Sequence, residues 1–152
     1  MRYWLMKSEP GDVSIDDLVN MPNQTVDWYG IRNYQARNFM RDSMQIGDGV
    51  LFYHSNCDVP GIVGIAEVAS RAYPDRLQFI AGHKYFDAKA TQETPRRVNV
   101  DVKLIRKTRL LSLKEMRENP DLEALRILQR GNRLSITPVE PSDWRTILAL
   151  LQ

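Results

Sequence analysis

The segment Trp28-Tyr29-Gly30-Ile31-Arg32-Asn33 sets two aromatic rings beside a glycine and then turns to amide and guanidinium groups. Lys7-Ser8-Glu9 lies upstream of it and Ser55-Asn56 downstream. Together these residues offer a flat aromatic surface and several hydrogen-bonding groups, a set suited to holding a planar polar ligand. Trp28 stands in a polar stretch, VDWYGIRN, outside any apolar periodicity. A tryptophan face stacks on a nucleobase with about 1–3 kcal/mol and little regard for which base it is. Discrimination then falls to edge contacts, for which the amides of Asn33 and Asn56, the Ser55 hydroxyl and backbone groups near Ser8 are the candidates. The alternative for Trp28 is a loop ring folded back over the core, and side-chain chemistry by itself leaves both open.

Other chemistries have less to stand on. His54 and Cys57 are spaced like metal ligands, but with His83 they make an incomplete zinc set, so no metal is expected. Ser8, Ser55 and Cys57 could be nucleophiles with His54 or His83 as base, yet none sits in a nucleophile elbow. No phosphate-binding loop or dinucleotide fingerprint occurs, and no cofactor is expected. Lys7-Ser8-Glu9 puts an amine and a carboxylate at a strand end, which also describes a solvated turn.

The formal charge is +2 over 152 residues. A protein that coats duplexes is usually far more basic, so any nucleic-acid affinity must come from local patches. Three groups qualify: Arg32, Arg37 and Arg41; Arg96, Arg97, Lys103, Arg106, Lys107 and Arg109; and Arg126, Arg130 and Arg133. The single cysteine, Cys57, precludes an internal disulfide and fits a reducing cytosol. The apolar run near the N-terminus, Tyr3 to Met6, is too short for a signal peptide or a membrane span. The expectation is a soluble intracellular domain comprising residues 1–152.

The elements that must position these groups follow from pattern. Residues 2–6 read as a strand stopped by Ser8-Glu9-Pro10-Gly11, and Ser14 with Asp17 has capping-box spacing for a short helix. Residues 20–27 read as loop, and a second helix is predicted over Arg32 to Asp42. Residues 49–54 and the β-branched run after Pro60-Gly61 should pair as a hairpin across SNCDVPG, with Gly64 marking a bulge or a close backbone approach. An irregular middle covers about 72–95. Residues 97–106 alternate cleanly, with Val98, Val100, Val102 and Leu104 on one face. Ser112 with Glu115 caps a short helix, and Asn119 caps another in which Leu122, Leu125 and Leu128 recur before Gly131. Leu134 to Thr137 reads as a strand ended by Pro138. Trp144, Ile147, Leu148 and Leu151 form the stripe of a last helix. The class is α+β: about five to six short, mostly antiparallel strands in a small, partly closed barrel with flanking helices.

The blocks YWLMKSEP, DWYGIRNYQARNFMRD, GDGVLFYHSN, PGIVGIAEV, VDVKLIRK and LQRGNRLSITPV together resemble the EVE domain family, thymocyte nuclear protein type, over almost the whole chain. The resemblance implies a PUA-like fold, a curved β-barrel related to the YTH readers of methylated adenine. Lys7-Ser8, Trp28, Ser55-Asn56 and Gly64-Ile65-Ala66-Glu67 carry the likeness to YTH. It further implies a non-enzymatic module for a modified base in DNA or RNA, with 5-modified cytosine the leading candidate. On that reading Trp28 stacks on the base, and Ser55, Asn56, Lys7, Ser8 and Tyr29 surround it. Asn33 anchors the loop or the sugar, while Arg32, Arg37, Arg130 and Arg133 meet phosphates. The partner would be nucleic acid and not membrane, in the cytoplasm or at the nucleoid; the oligomeric state is left open. One departure stands out: many family members carry a tryptophan just before the VDV strand, where this chain has Arg97-Val98. The rival implication is an amidohydrolase-like enzyme acting on an acylated nucleoside, with Lys7, Ser8 and Glu9 or Glu67 as its site.

Overall fold

The computed structural model describes residues 1–152 and contains eight strands. They are β1 (Tyr3–Ser8), β2 (Thr25–Asp27), β3 (Gly49–His54), β4 (Gly61–Val68), β5 (Tyr73–Pro74), β6 (Val98–Asn99), β7 (Asp101–Ser112) and β8 (Ile136–Val139). Six form one mixed sheet in the order β2-β7-β4-β3-β1-β8, curled into a half-barrel of PUA-like type, while β5 and β6 pair separately. All ladders are antiparallel except β1 with β3, which run parallel in a register that puts Leu5 opposite Leu51 and Ser8 opposite His54.

Both faces of the sheet are buried, which explains why β1 and β3 are apolar at almost every position. Strand alternation divides them between two cores. Trp4, Met6, Val50 and Phe52 enter one, together with Val100, Val102 and Leu104 of the β6–β7 region. Leu5, Leu51 and Tyr53 enter the other, together with Leu111. The first is covered by α1 (Ile15–Val19) and α2 (Tyr34–Asn38), the second by α3 (Leu113–Arg117) and α4 (Pro141–Leu150). In β4 the alternation breaks: Ile62 and Ile65, three apart, share one core because the register shifts between Ile62 and Gly64. A β-carbon on Gly64 would lie 2.5 Å from Ile15 Cδ1, so the glycine is what lets α1 settle on the bulge.

The cores are tied down by a few buried polar groups. Asp48, 2% exposed, accepts from Trp4 Nε1 at 3.0 Å and from the Arg2 and Gln45 backbone N–H groups. α1 begins with the expected reciprocal Ser14–Asp17 box, and Ser112 caps α3 by accepting from Glu115 N–H.

Four local expectations change. The segment read as loop contains β2, too short to show a period of two. The second helix is α-helical only over Tyr34–Asn38 and then widens to a π turn over Phe39–Ser43. Leu122, Leu125 and Leu128 belong to two separate 3-10 turns, Pro120–Leu122 and Arg126–Leu128. Their spacing of three is the repeat of a 3-10 helix as well as an approximate α repeat, so the pattern could not separate the two. Pro138 lies inside β8 rather than after it. β8 is an edge strand, where a missing N–H can face outward without loss.

Candidate functional site

β1 and β3 end side by side, and the chain leaves both at the same edge of the sheet. Ser55 N–H donates to Ser8 C=O at 3.0 Å, and Lys7 N–H donates to Ser135 C=O at 2.8 Å, which brings the segment before β8 to the same place. Ser8 Oγ donates to Val13 C=O at 2.6 Å and folds the 9–13 turn back on the strand. From the other side the chain after β2 arrives. Trp28 N–H donates to Val100 C=O at 2.8 Å, and Gly30 N–H to the Asp75 carboxylate at 2.7 Å. Between them lies a cleft of about 580 Å³ whose lining includes Lys7, Ser8, Trp28, Tyr29, Arg32, Ser55 and Arg133. Thus seven of the eleven residues singled out from sequence converge on one cavity.

The other four do not line it. Asn33 is the N-cap of α2, accepting from Ala36 N–H at 3.0 Å. Asn56 takes a positive φ of 53° in the β3–β4 loop and donates to Glu9 Oε1 at 3.3 Å. Arg37 donates from Nε and Nη2 to Asn38 Oδ1 and from Nη1 to Arg96 C=O, which engages all three of its nitrogens inside the molecule. Arg130 is exposed and makes no ion pair, but lies beyond the lining.

Trp28 both packs and lines. It meets Phe52 edge-on at 5.5 Å between ring centres and is 6% exposed, so the cleft sees a strip of its ring, and Tyr29 and Tyr85 supply further aromatic surface. Tyr85 is held over the loop by Gly30. That glycine has φ +75°, and a β-carbon on it would stand 2.6 Å from Tyr85 Cζ. Lys84 reaches across the mouth to Asp12 at 3.5 Å.

Residues 76–97 thus form a strap over one side of the site, and its anchors are buried. Gln78, 0% exposed, accepts from both Arg96 and Arg97 N–H through Oε1 and donates from Nε2 to Asp75 and Arg97 C=O. Asp87 pairs with Arg97 at 3.2 Å and with Arg96 at 3.8 Å. The guanidinium groups of Arg37 and Arg97 lie 4.4 and 4.8 Å from the centre of the Tyr34 ring. Arg97, the residue just before β6, therefore serves this strap. Sequence reasoning missed Asp12, Asp27, Lys84, Tyr85 and Ser135, all of them cleft-lining. Their only signal is the Lys84-Tyr85-Phe86 run in an otherwise irregular segment.

The electrostatics follow from burial. Half-buried Lys7 has no ion-pair partner, and loss of water lowers its pKa below the ordinary lysine value. Burial likewise raises Asp27, opposed in part by its own backbone N–H and by the positive charge of Arg76, and it raises the Tyr29 phenol. His54 is lowered by burial, and its Nε2 accepts from Ile15 N–H at 3.0 Å, which requires the neutral ring and pins α1 beside the cleft. The arrangement can receive a flat ring against aromatic edges and offer it both an ammonium donor and a carboxylate acceptor.

A profile of the EVE domain matches residues 2–150. The chain belongs to the EVE domain family. Thymocyte nuclear protein 1 of Gallus gallus is 40% identical over 166 aligned positions, covering 97% of this chain and 68% of that protein. Among solved structures, this EVE domain is similar to a protein from Pseudomonas syringae, with a TM-score of 0.92, 43% identity and 99% of each chain covered. It is similar also to human THYN1 in complex with DNA containing 5-methylcytosine, with a TM-score of 0.91, 36% identity, and 100% and 98% of the two chains covered. No helix of this EVE domain is long and apolar enough to cross a membrane.

Proposed function

We propose that this EVE domain is a non-enzymatic reader of 5-methylcytosine in DNA, taking the base out of the stack into the cleft. The observation that carries the reading is the likeness, along the full chain, to human THYN1 in complex with 5-methylcytosine-containing DNA. The cleft is consistent with it in size, aromatic lining and unpartnered polar groups. In this reading Trp28, Tyr29 and Tyr85 grip the ring, Lys7 donates to a ring or carbonyl acceptor, and Ser55 hydrogen-bonds an edge. Ser8 acts through its backbone, since its hydroxyl is committed to Val13. Arg32 and Arg133 take the flanking phosphates. Arg37 drops out of that role because its guanidinium is engaged, and Asn33 and Asn56 shape the loops. Extruding a base costs a few kcal/mol, so single-stranded or distorted sites should bind more tightly than intact duplex. The reader would work inside the cell, wherever modified DNA is found.

Tryptophan-fluorescence titration with matched oligonucleotides tests this: plain cytosine, 5-methylcytosine and N6-methyladenine, each as DNA and as RNA. Tighter binding to 5-methylcytosine DNA supports the reading, and equal, salt-sensitive binding to all would sink it. One observation also favours an enzyme: the lowered pKa of Lys7 suits a lysine base. Release of acetate from N4-acetylcytidine by wild type and not by Lys7→Ala would put that reading first.

A further inference from the structure

A reader of 5-methylcytosine faces a problem that the methyl group cannot solve, because thymine carries the same methyl at the same carbon. The two bases differ along one edge. Cytosine presents an amino donor at carbon 4 and an acceptor at N3, and thymine presents an acceptor at carbon 4 and an N3–H donor. Separating them requires a fixed acceptor where the amino group arrives.

Three carboxylates line the cleft, and two are engaged. Glu9 accepts from Asn56 Nδ2, and Asp12 pairs with Lys84. Beyond its own backbone N–H, the Asp27 carboxylate makes no hydrogen bond or ion pair. It closes β2 next to Trp28, where Val26 and Trp28 are fixed in the core and the ladder to β7 sets Asp27 opposite Asp101. Its position is therefore held by strand pairing and by packing on either side. A donor brought to this carboxylate would also relieve a charge that burial penalises, a penalty that its own N–H and Arg76 offset only in part and to which Asp101 and Asp75 add.

Resting on the reader assignment above, we propose that Asp27 is the specificity-determining residue that admits cytosine and rejects thymine, its carboxylate accepting from the exocyclic amine of the bound base. Thymine would turn its carbonyl oxygen to the same carboxylate, acceptor against acceptor, with both groups stripped of water. Lys7, a donor only, would face the O2 or N3 side common to the cytosine-like pattern. The pair of unpartnered groups thus reads the donor–acceptor order of a 4-aminopyrimidine.

The test uses single-stranded DNA oligonucleotides identical except for one central base: cytosine, 5-methylcytosine or thymine. Wild type should bind 5-methylcytosine about tenfold or more tightly than thymine, the scale of one well-placed base contact. Asp27→Ala should bring the two affinities together, chiefly by weakening 5-methylcytosine. Asp27→Asn, which keeps an acceptor oxygen, should retain part of the preference, and thermal melts confirm that both variants are folded. If folded Asp27→Ala keeps the wild-type ratio, or wild type itself does not separate 5-methylcytosine from thymine, the role given to Asp27 is wrong. Failure of wild type to prefer 5-methylcytosine over cytosine is the distinct result that removes the reader assignment, and the proposal with it.

Discussion

Arg37, Arg96 and Arg97 direct their guanidinium groups into the molecule, onto Tyr34, Asp87 and backbone carbonyls, whereas Arg32 and Arg133 stand exposed at the lip of the cleft. In sequence the two sets are alike, and Arg32 and Arg37 even share a segment. What separates them is how far their donors are satisfied at home: Arg133 makes no side-chain hydrogen bond, and Arg32 makes one, from Nη2 to Phe86 C=O at 3.3 Å. The saturated set builds a wall and the unsaturated set is left for a partner, so loss of a residue should read out as stability in the first case and as binding in the second.

The sharpest break of that contrast would come from Gln78. Gln78→Leu leaves the Arg96 and Arg97 N–H groups without partners and takes one of two donors from the Asp75 and Arg97 carbonyls, and urea denaturation should show a loss of about 3 kcal/mol. Arg97→Ala takes the nearer of two arginines from the nearly buried Asp87 carboxylate, leaving it Arg96 and the Lys89 N–H, and should cost about 2 kcal/mol with little change in the affinity of the remaining folded protein. A large binding defect at unchanged stability would place Arg97 in the wrong set.

Lys7→Met should do the reverse. Removing an unpartnered, half-buried ammonium should leave stability level or improve it, while binding weakens about tenfold. The pH profile sharpens this. Because the Lys7 pKa lies below its usual value, affinity should begin to fall at an alkaline pH short of 10.5, and Lys7→Met should erase that limb. Arg133→Ala should have a smaller effect, about 0.5–1 kcal/mol in binding, with the slope of affinity against salt reduced by about one phosphate contact. An unchanged salt slope would argue that Arg133 meets no phosphate.

His54 belongs to neither set, since its ring accepts from Ile15 N–H only while neutral. With the folded pKa depressed, the unfolded chain binds the proton first. The stability contributed by the neutral ring is therefore present above about 6.5 and is lost as pH falls through the lower folded value. His54→Gln, which keeps an acceptor without titrating, should flatten that part of the stability–pH curve.

Much of this architecture was legible because single residues announced it. Ser14 with Asp17, Gly64 at the bulge and the Trp144 stripe were realised as read, whereas the Ser112–Glu115 box forms only in half: Ser112 caps α3, but the Glu115 carboxylate turns to Arg109. β2 was invisible because three residues cannot display a period. In the site, Lys7, Trp28 and Ser55 were legible as polar or aromatic groups at strand ends. Asp27 and Tyr85 were not, for a physical reason: their place in the cleft depends on long-range facts, the Asp27–Asp101 pairing and the fit of Tyr85 against Gly30. Nor could composition show that Arg37 would be saturated by Arg96, 59 positions away.

The position of β1, one strand in from the edge of the sheet, has a consequence for how the chain is made. The strand leaves the ribosome well before β8, residues 136–139, yet one of its edges belongs to that later strand. Until that strand is translated, an apolar ribbon with an open edge must wait in the company of other nascent chains and chaperones. The Lys7–Ser135 bond that closes the cleft is formed by the same late arrival. Lesions in β8 should therefore show themselves in the cell as aggregates rather than as a folded protein with weak affinity.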